Sequence, residues 1–194
     1  MVLNKKETKQ IEIGNTKNSI FQAFDNGPKI EAKFFPYDPK YKKTKYIKKV
    51  TIHTDSKIDN ATIKLHFYAV DPNGYPGEEL LNKDYLVKIK SGLVNHKFDI
   101  SEFNLILPPT GIFVAYEKLM IESNKTEKTI TDFQTNTKKI QKTYHPFVLY
   151  NHVEKDFLYA FSGGKWSKQI PESKGGSSGK MMVYEPAINL ILTN

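Results

Sequence analysis

Between Ala61 and Ala69 the chain alternates strictly, with Ala61, Ile63, Leu65, Phe67 and Ala69 set against Thr62, Lys64, His66 and Tyr68. A period of two sustained this long demands an extended strand with one buried face, because a helix would spread the same apolar positions around its circumference. The strand runs into Asp71-Pro72-Asn73-Gly74 and then Tyr75-Pro76-Gly77. Asp suits the first position of a type I turn, Pro presets the second, and Gly closes it. From Asp84 to Lys90 the alternation returns, Tyr85, Val87 and Ile89 against Lys88. A strand, a structured loop and a return strand therefore form the centre on which the other segments are placed.

Short alternations recur along the rest of the chain. Ile11-Glu12-Ile13 is a strand stopped by Gly14, and the strand from Lys29 to Phe35 puts Ile30, Ala32 and Phe34 on one face. Two prolines between Phe34 and Tyr41 rule out a central strand there and leave a rigid loop. Tyr46 to Thr54 places Val50 and Ile52 inward and Lys49, Thr51 and His53 outward, and Thr54-Asp55-Ser56-Lys57 then turns the chain into the central strand. In that simplest hairpin Lys49 stands opposite His66. Val94, His96, Phe98 and Ile100 share a face, and Phe103 to Leu107 is a short apolar piece closed by Pro108-Pro109-Thr110-Gly111. Ile112 to Glu122 is apolar on both faces, as in a central strand.

Further strands are expected at Tyr144 to Tyr150 and Phe157 to Phe161, and Met181 to Leu192 supplies the last strand or pair of strands, with Ser162-Gly163-Gly164 turning towards Trp166 and a Gly/Ser loop from Ser173 to Gly179. The segment from Ser123 to Thr143 is rich in Lys, Thr and Asn, with only Ile130, Phe133 and Ile140 to bury, and reads as a mobile hairpin or a functional loop. No amphipathic helix of useful length is present. Roughly ten short strands at near-regular spacing give an all-β fold, an antiparallel β-sandwich or jelly roll. It forms one domain over residues 11–194, with a polar excursion at 123–143, after a frayed segment at 1–10.

Charge alone invites a polyanion as partner, since the formal net charge is +8. Yet all 29 basic residues are lysine. Nucleic-acid sites rely on arginine, whose planar fork grips guanine and phosphate, so the lysine bias fits the composition of an AT-rich, bacterial coding sequence and no nucleic-acid partner is expected. Without cysteine there is no disulfide, thiolate catalysis or Cys-based zinc site. No apolar run reaches the length of a membrane span. Met1-Val2-Leu3-Asn4-Lys5-Lys6-Glu7 lacks the apolar core of a signal peptide. Two expectations follow for location: cytoplasmic if Met1 is the natural start, or cell envelope or secreted if the chain is a domain of a longer precursor.

Several pieces together carry a family resemblance. They are Tyr46-Ile47-Lys48-Lys49-Val50, Leu65-His66-Phe67-Tyr68 leading to Gly74-Tyr75-Pro76-Gly77-Glu78-Glu79-Leu80-Leu81, and Phe98-Asp99-Ile100-Ser101. Pro108-Pro109-Thr110-Gly111 before Phe113-Val114-Ala115, and Gly163-Gly164-Lys165-Trp166, complete the set. In this order they resemble the jelly-roll, galactose-binding-like accessory domains of bacterial envelope and secreted proteins, some of which adjoin carboxypeptidase-regulatory-like domains. The resemblance implies a binding or structural module attached to something else, and brings no catalytic residues across.

His53 and His66 could form a two-histidine metal site, but the hairpin register sets a lysine beside His66, so both read as solvated surface histidines and no metal is assigned. His145, His152, Glu154 and Asp156 are the densest patch of acid and base groups; their spacing matches no zinc motif, and they read as structural loop residues. No serine lies in a nucleophile elbow. Gly163-Gly164 and Gly175-Gly176 lack the lysine and helix of a phosphate loop. Asn60-Ala61-Thr62 and Asn124-Lys125-Thr126 match the glycosylation sequon by chance.

Tyr37, Tyr41, Tyr75 and Trp166 fall in loops or beside turns, where ring faces could stack on a sugar with Asn and Asp satisfying its hydroxyls. The alternative is that they cap the ends of the core. The expected function is therefore a non-catalytic β-sandwich module, structural or ligand-binding, within a larger envelope or secreted protein or assembly, with a glycan or protein partner and no cofactor. A carbohydrate-binding domain using the loop aromatics is the alternative. A hydrolase centred on His145 to Asp156 is the third reading.

Overall fold

The computed structural model describes residues 9–14, 20–21, 27–132, 134, 136–155, 158–169 and 181–194. In chain order the strands are β1 (Gln10–Ile13), β2 (Ile20–Phe21), β3 (Ile30–Phe35), β4 (Tyr46–Ser56), β5 (Ala61–Val70), β6 (Pro76–Glu79), β7 (Tyr85–Ile89), β8 (Gly92–Asp99) and β9 (Ile112–Lys118). They continue as β10 (Lys125–Asp132), β11 (Thr137–Tyr144), β12 (Phe147–Val148), β13 (Tyr150–Lys155), β14 (Leu158–Ser162), β15 (Lys165–Gln169), β16 (Met181–Pro186) and β17 (Ile188–Thr193). Helical structure among the described residues is confined to short 3-10 turns at Pro39–Tyr41, Ser101–Phe103 and Glu122–Asn124. No helix there is long and apolar enough to cross a membrane.

Every strand pairing among the described residues is antiparallel. One layer runs β15-β14-β3-β9-β5-β6, with β7 also on β5. The other runs β1-β17-β4-β12, with β8 also on β4. The small sheet β16-β13-β2 extends this second layer. At the join, His53 N–H donates to the Ala187 carbonyl, Ala187 N–H to that of Leu149, and Leu149 N–H to that of His53. The fold is thus an all-β antiparallel sandwich with curled sheets, as the strand pattern predicts.

Between the layers, Val50 and Ile52 of β4 and Leu190 and Leu192 of β17 share one buried cluster with Ile63, Leu65 and Phe67 of β5 and Ile112 and Val114 of β9. Each such side chain contributes about 1.5–3 kcal/mol when fully buried. β9 is central, between β3 and β5, as its two apolar faces require, but it ends at Lys118 rather than Glu122. The return strand is β7, paired with β5, and β6 also lies on β5 with Pro76 opening an edge strand, where the missing N–H costs no ladder bond.

Two expectations need correction. β4 and β5 do not form a hairpin: β4 pairs with β8 and β17, whereas β5 pairs with β6, β7 and β9. Lys49 therefore stands opposite Asp99 and Ile191, not His66. Each strand has one apolar face, and placing the two in facing layers buries both faces against each other. The second correction concerns the outer face of β5, where Thr62 and His66 are buried rather than solvated.

Thr62 lies against Asn124 and Lys88, and the burial at His66 has a visible cause of its own. The β14–β15 hairpin curls back over the outside of its own sheet, so that the Trp166 ring of β15 reaches within 5.4 Å of Tyr68 on β5 although β14, β3 and β9 lie between them. Ala32 and Ala115, which are in register with Tyr159 and His66, leave room beneath these rings. They form a second small core with Phe113 and Tyr159. The excursion at 123–143 is a hairpin, β10 on β11, which stands as a two-stranded sheet. Phe133, Asp156, Phe157, the Gly175-Gly176 pair, the Ser173 to Gly179 loop and residues 1–8 lie outside the described residues.

Candidate functional site

Polar groups gather at three places, and the first lies on the outer face of β5. The alternation that faces Ile63, Leu65 and Phe67 inward turns Lys64, His66 and Tyr68 outward, where β6 and β9 supply one glutamate each. His66 Nδ1 lies 2.7 Å from Glu79 Oε2 and Nε2 lies 3.1 Å from Glu117 Oε2. Glu79 Oε1 also accepts the Phe67 backbone N–H at 2.9 Å. The imidazole stacks on Tyr68 with ring centroids 5.5 Å apart, and burial, then the Glu79 charge, push the Tyr68 phenol well up. Because the two carboxylates stand on opposite edges of one ring, they cannot converge on a common ion. No metal-binding group of three or more His, Asp or Glu side chains occurs among the described residues.

Beside this clamp, Lys64, Glu79, Leu81, Asn82, Lys83 and Asp84 line an open cleft of about 170 Å³. Lys64 Nζ lies 2.7 Å from Asp84 Oδ1, which holds the lysine pKa up and the aspartate pKa down. The cleft wall thus presents paired charges.

The third gathering lies inside the sandwich. On β3 the residues that alternate with Ile30, Ala32 and Phe34 are Glu31, Lys33 and Phe35, so two charges point inward. The Tyr116 and Tyr150 hydroxyls both donate to Glu31 Oε2, and lie 2.9 Å from each other. Lys29 Nζ donates to Tyr150 at 2.7 Å. Lys33 Nζ lies 3.1 Å from Glu185 Oε2 of β16, and burial pushes the lysine pKa down to about 7. This network joins β3 and β9 of one layer to β13 and β16 of the other. Sequence reasoning missed it because a short strand with one face of Ile, Ala and Phe reads as amphipathic, with its charges in water.

The four loop aromatics divide between two clusters. Tyr41 is buried in the main core, with Tyr37 packed against it. Tyr75 and Trp166 pack on the second core, Tyr75 edge-on to Tyr159 and Trp166 edge-on to Tyr68 and Phe161. Trp166 belongs to strand β15 rather than to a loop. The Tyr159 hydroxyl donates to the Gly74 carbonyl at 2.8 Å, which pins the turn before Tyr75.

Of the hydrolase candidates, Glu154 is exposed on β13 and His152 stacks on Tyr184. His145 is buried between β4 and the base of the β10–β11 arm. Its Nδ1 accepts the Lys57 N–H at 3.3 Å and its Nε2 faces Thr126 Oγ1 at 3.4 Å. Burial lowers its pKa, with Lys118 and Lys57 adding to the effect. His53 is partly buried in β4, within the layer opposite His66, and its pKa is lowered by burial. Asn124 of the second sequon is fully buried, so its amide is closed to a glycan in the folded chain. Compared with protein-family models, with curated proteins and with solved structures, the chain matches none of them.

Proposed function

We propose that the chain is a non-catalytic β-sandwich module, structural or ligand-binding, that works as part of a larger envelope or secreted protein or assembly. The observation that carries this reading is where its most reactive side chains are spent. Both ring nitrogens of His66 are engaged by carboxylates, and the buried Lys33 faces Glu185. Each group ties strands of the sandwich together, and the His66 ring has a carboxylate on both of its nitrogens. The similarity to jelly-roll, galactose-binding-like accessory domains belongs to the same reading. The test is turnover: chromogenic ester, phosphoester and glycoside substrates are expected to react no faster than in buffer. Hydrolysis that is lost in His66→Gln or Glu117→Gln, with the fold retained, would overturn it.

Carbohydrate binding is the second reading, favoured by the cleft of paired charges, whose Glu79 is in register with Tyr68, since such walls supply donors and acceptors to a neutral polyol. Titration with soluble glycans, followed by Trp166 emission and by calorimetry with Trp166→Phe as control, tests it. A saturable emission change together with heat lost in the variant supports a sugar site there; silence in both removes it.

A further inference from the structure

The β10–β11 arm is a two-stranded sheet of eight residues a side, and Glu127 to Ile130 and Thr137 to Lys142 are exposed along it. A two-stranded sheet wetted on both faces is only marginally stable by itself. Its root is fixed: Asn124 Oδ1 accepts the Thr62 N–H at 2.7 Å, and Asn124 Nδ2 donates to the carbonyls of Thr62 and Leu119. The arm is held by its base.

Register sorts the side chains of its outer half. Ile130 stands opposite Lys139, and Ile140 stands opposite Thr129. Opposed residues share a face and neighbours along a strand alternate, so one face carries Lys128, Ile130 and Lys139 and the other carries Lys138 and Ile140. The two isoleucines are 43% and 64% exposed. Lys128, Lys138 and Lys139 form no ion pair among the described residues. From Lys125 to Tyr144 the sequence holds five lysines against Glu127 and Asp132.

These placements select a partner. An acidic protein surface would cover one face and leave the isoleucine of the other in water, whereas a fluid lipid surface closes around both faces of a thin ribbon. Nucleic acid calls for the planar fork of arginine, which the chain lacks, but anionic headgroups ask only for charge. Lysine stems lie along apolar side chains while their ammonium groups reach outward to phosphate.

We propose that the outer half of the β10–β11 arm docks the protein on an anionic lipid surface, with Ile130 and Ile140 seated among the headgroups and Lys128, Lys138 and Lys139 on lipid phosphates. The arm stays at headgroup level, where water and phosphate satisfy backbone groups, and does not cross the bilayer. This goes beyond the module reading and stands without it, since an enzyme could carry the same arm.

The experiment co-sediments the full chain with vesicles of phosphatidylcholine, alone or with about 30% phosphatidylglycerol. Saturable binding to the anionic vesicles only, weakened by added salt, is expected. Lys138→Glu with Lys139→Glu should weaken it at least about tenfold. Lys42→Glu with Lys43→Glu makes the same change of charge at exposed positions before β4, whose far end lies near the arm's base, and should weaken it much less. Ile130→Ser with Ile140→Ser leaves the charge alone and should weaken binding about fivefold. Because the chain has no cysteine, Thr129→Cys carries a single environment-sensitive dye, whose emission should move to the blue on anionic vesicles. Absence of binding by the folded chain overturns the proposal. So does equal weakening by the two lysine pairs, which would mean net charge alone. Binding with no emission shift and no loss in the isoleucine variant also overturns it, and so does capture of polyglutamate by the arm without vesicle binding, which would assign the arm to an acidic protein.

Discussion

Lys33 Nζ lies 3.1 Å from Glu185 Oε2, with the two side chains 2% and 4% exposed, and this pair joins β3 to β16 across the interior. Burial holds the lysine near pH 7 against 10.5 for the free side chain. Between those values the unfolded chain binds a proton that the folded chain has released, so this group makes stability rise with pH through that window and adds no slope well below 7. Glu185→Gln leaves the ammonium without its carboxylate and should cost about 3 kcal/mol at pH 6. At pH 9, where Lys33 is neutral, the loss should shrink or reverse. Replacing both, Lys33→Met with Glu185→Leu, should recover most of the stability at pH 6. Urea unfolding at the two pH values decides it; a pH-independent loss would count against the pairing.

Asn124 anchors the arm through three side-chain bonds to the Thr62 N–H, the Thr62 carbonyl and the Leu119 carbonyl, at 2.7, 2.7 and 2.9 Å. Asn124→Ala strands these buried backbone groups and should cost about 2–4 kcal/mol. Asn124→Asp should do worse, because it sets a carboxylate against two carbonyl oxygens. Thermal melts of the two variants measure the order, and hydrogen exchange should show the loss spreading to Thr62 in β5. An Asn124→Asp chain as stable as the original would overturn the assignment.

Gly111 closes the turn before β9 with φ +83°, and a Cβ there would meet the Phe34 ring at 2.6 Å and the Phe35 carbonyl at 2.8 Å. Gly111→Ala therefore combines backbone strain with a clash against main chain that cannot swing away. A loss of about 2 kcal/mol or more is expected. Gly74→Ala, with φ +81° but open space, carries the strain alone and should lose less. Equal losses in denaturant unfolding would remove the steric part of the argument.

How far the sequence discloses these features depends on the kind of signal each one gives. β5 and β7 were legible because one apolar face recurs every second residue, a local signal that survives without the partner strand. Which strand pairs with which is not local: Thr54 to Lys57 has turn chemistry, yet it links two layers rather than a hairpin, and only the competition among apolar faces decides that. The second core was illegible for a related reason. Ala32 and Ala115 look unremarkable in sequence, but their small size admits Tyr159 and Trp166 over the sheet and so buries His66. The arm at 123–143 shows in the sequence as a compositional break, rich in Lys, Thr and Asn, which fits a hairpin and a loop equally; the pairing of β10 with β11 decides between them.

His66 is clamped unequally, and the inequality is testable. Glu79 takes both the ring Nδ1 contact at 2.7 Å and the Phe67 N–H at 2.9 Å, whereas Glu117 takes only the Nε2 contact, at 3.1 Å. Glu79 also sits on β6, whose following residue donates from Leu80 N–H to the Phe67 carbonyl at 2.7 Å, so its carboxylate helps hold an edge strand against β5. Glu79→Ala should cost about 3 kcal/mol, because it strands a backbone N–H and one side of the imidazole together. Glu117→Ala, which strands one ring nitrogen and no backbone group, should cost about 1 kcal/mol. Native-state hydrogen exchange separates the two by location as well as size: Glu79→Ala should release Phe67 and Leu80 amides first, whereas Glu117→Ala should leave them protected. Equal losses with the same exchange pattern would mean that the clamp, and not the tie of β6 to β5, carries the stability.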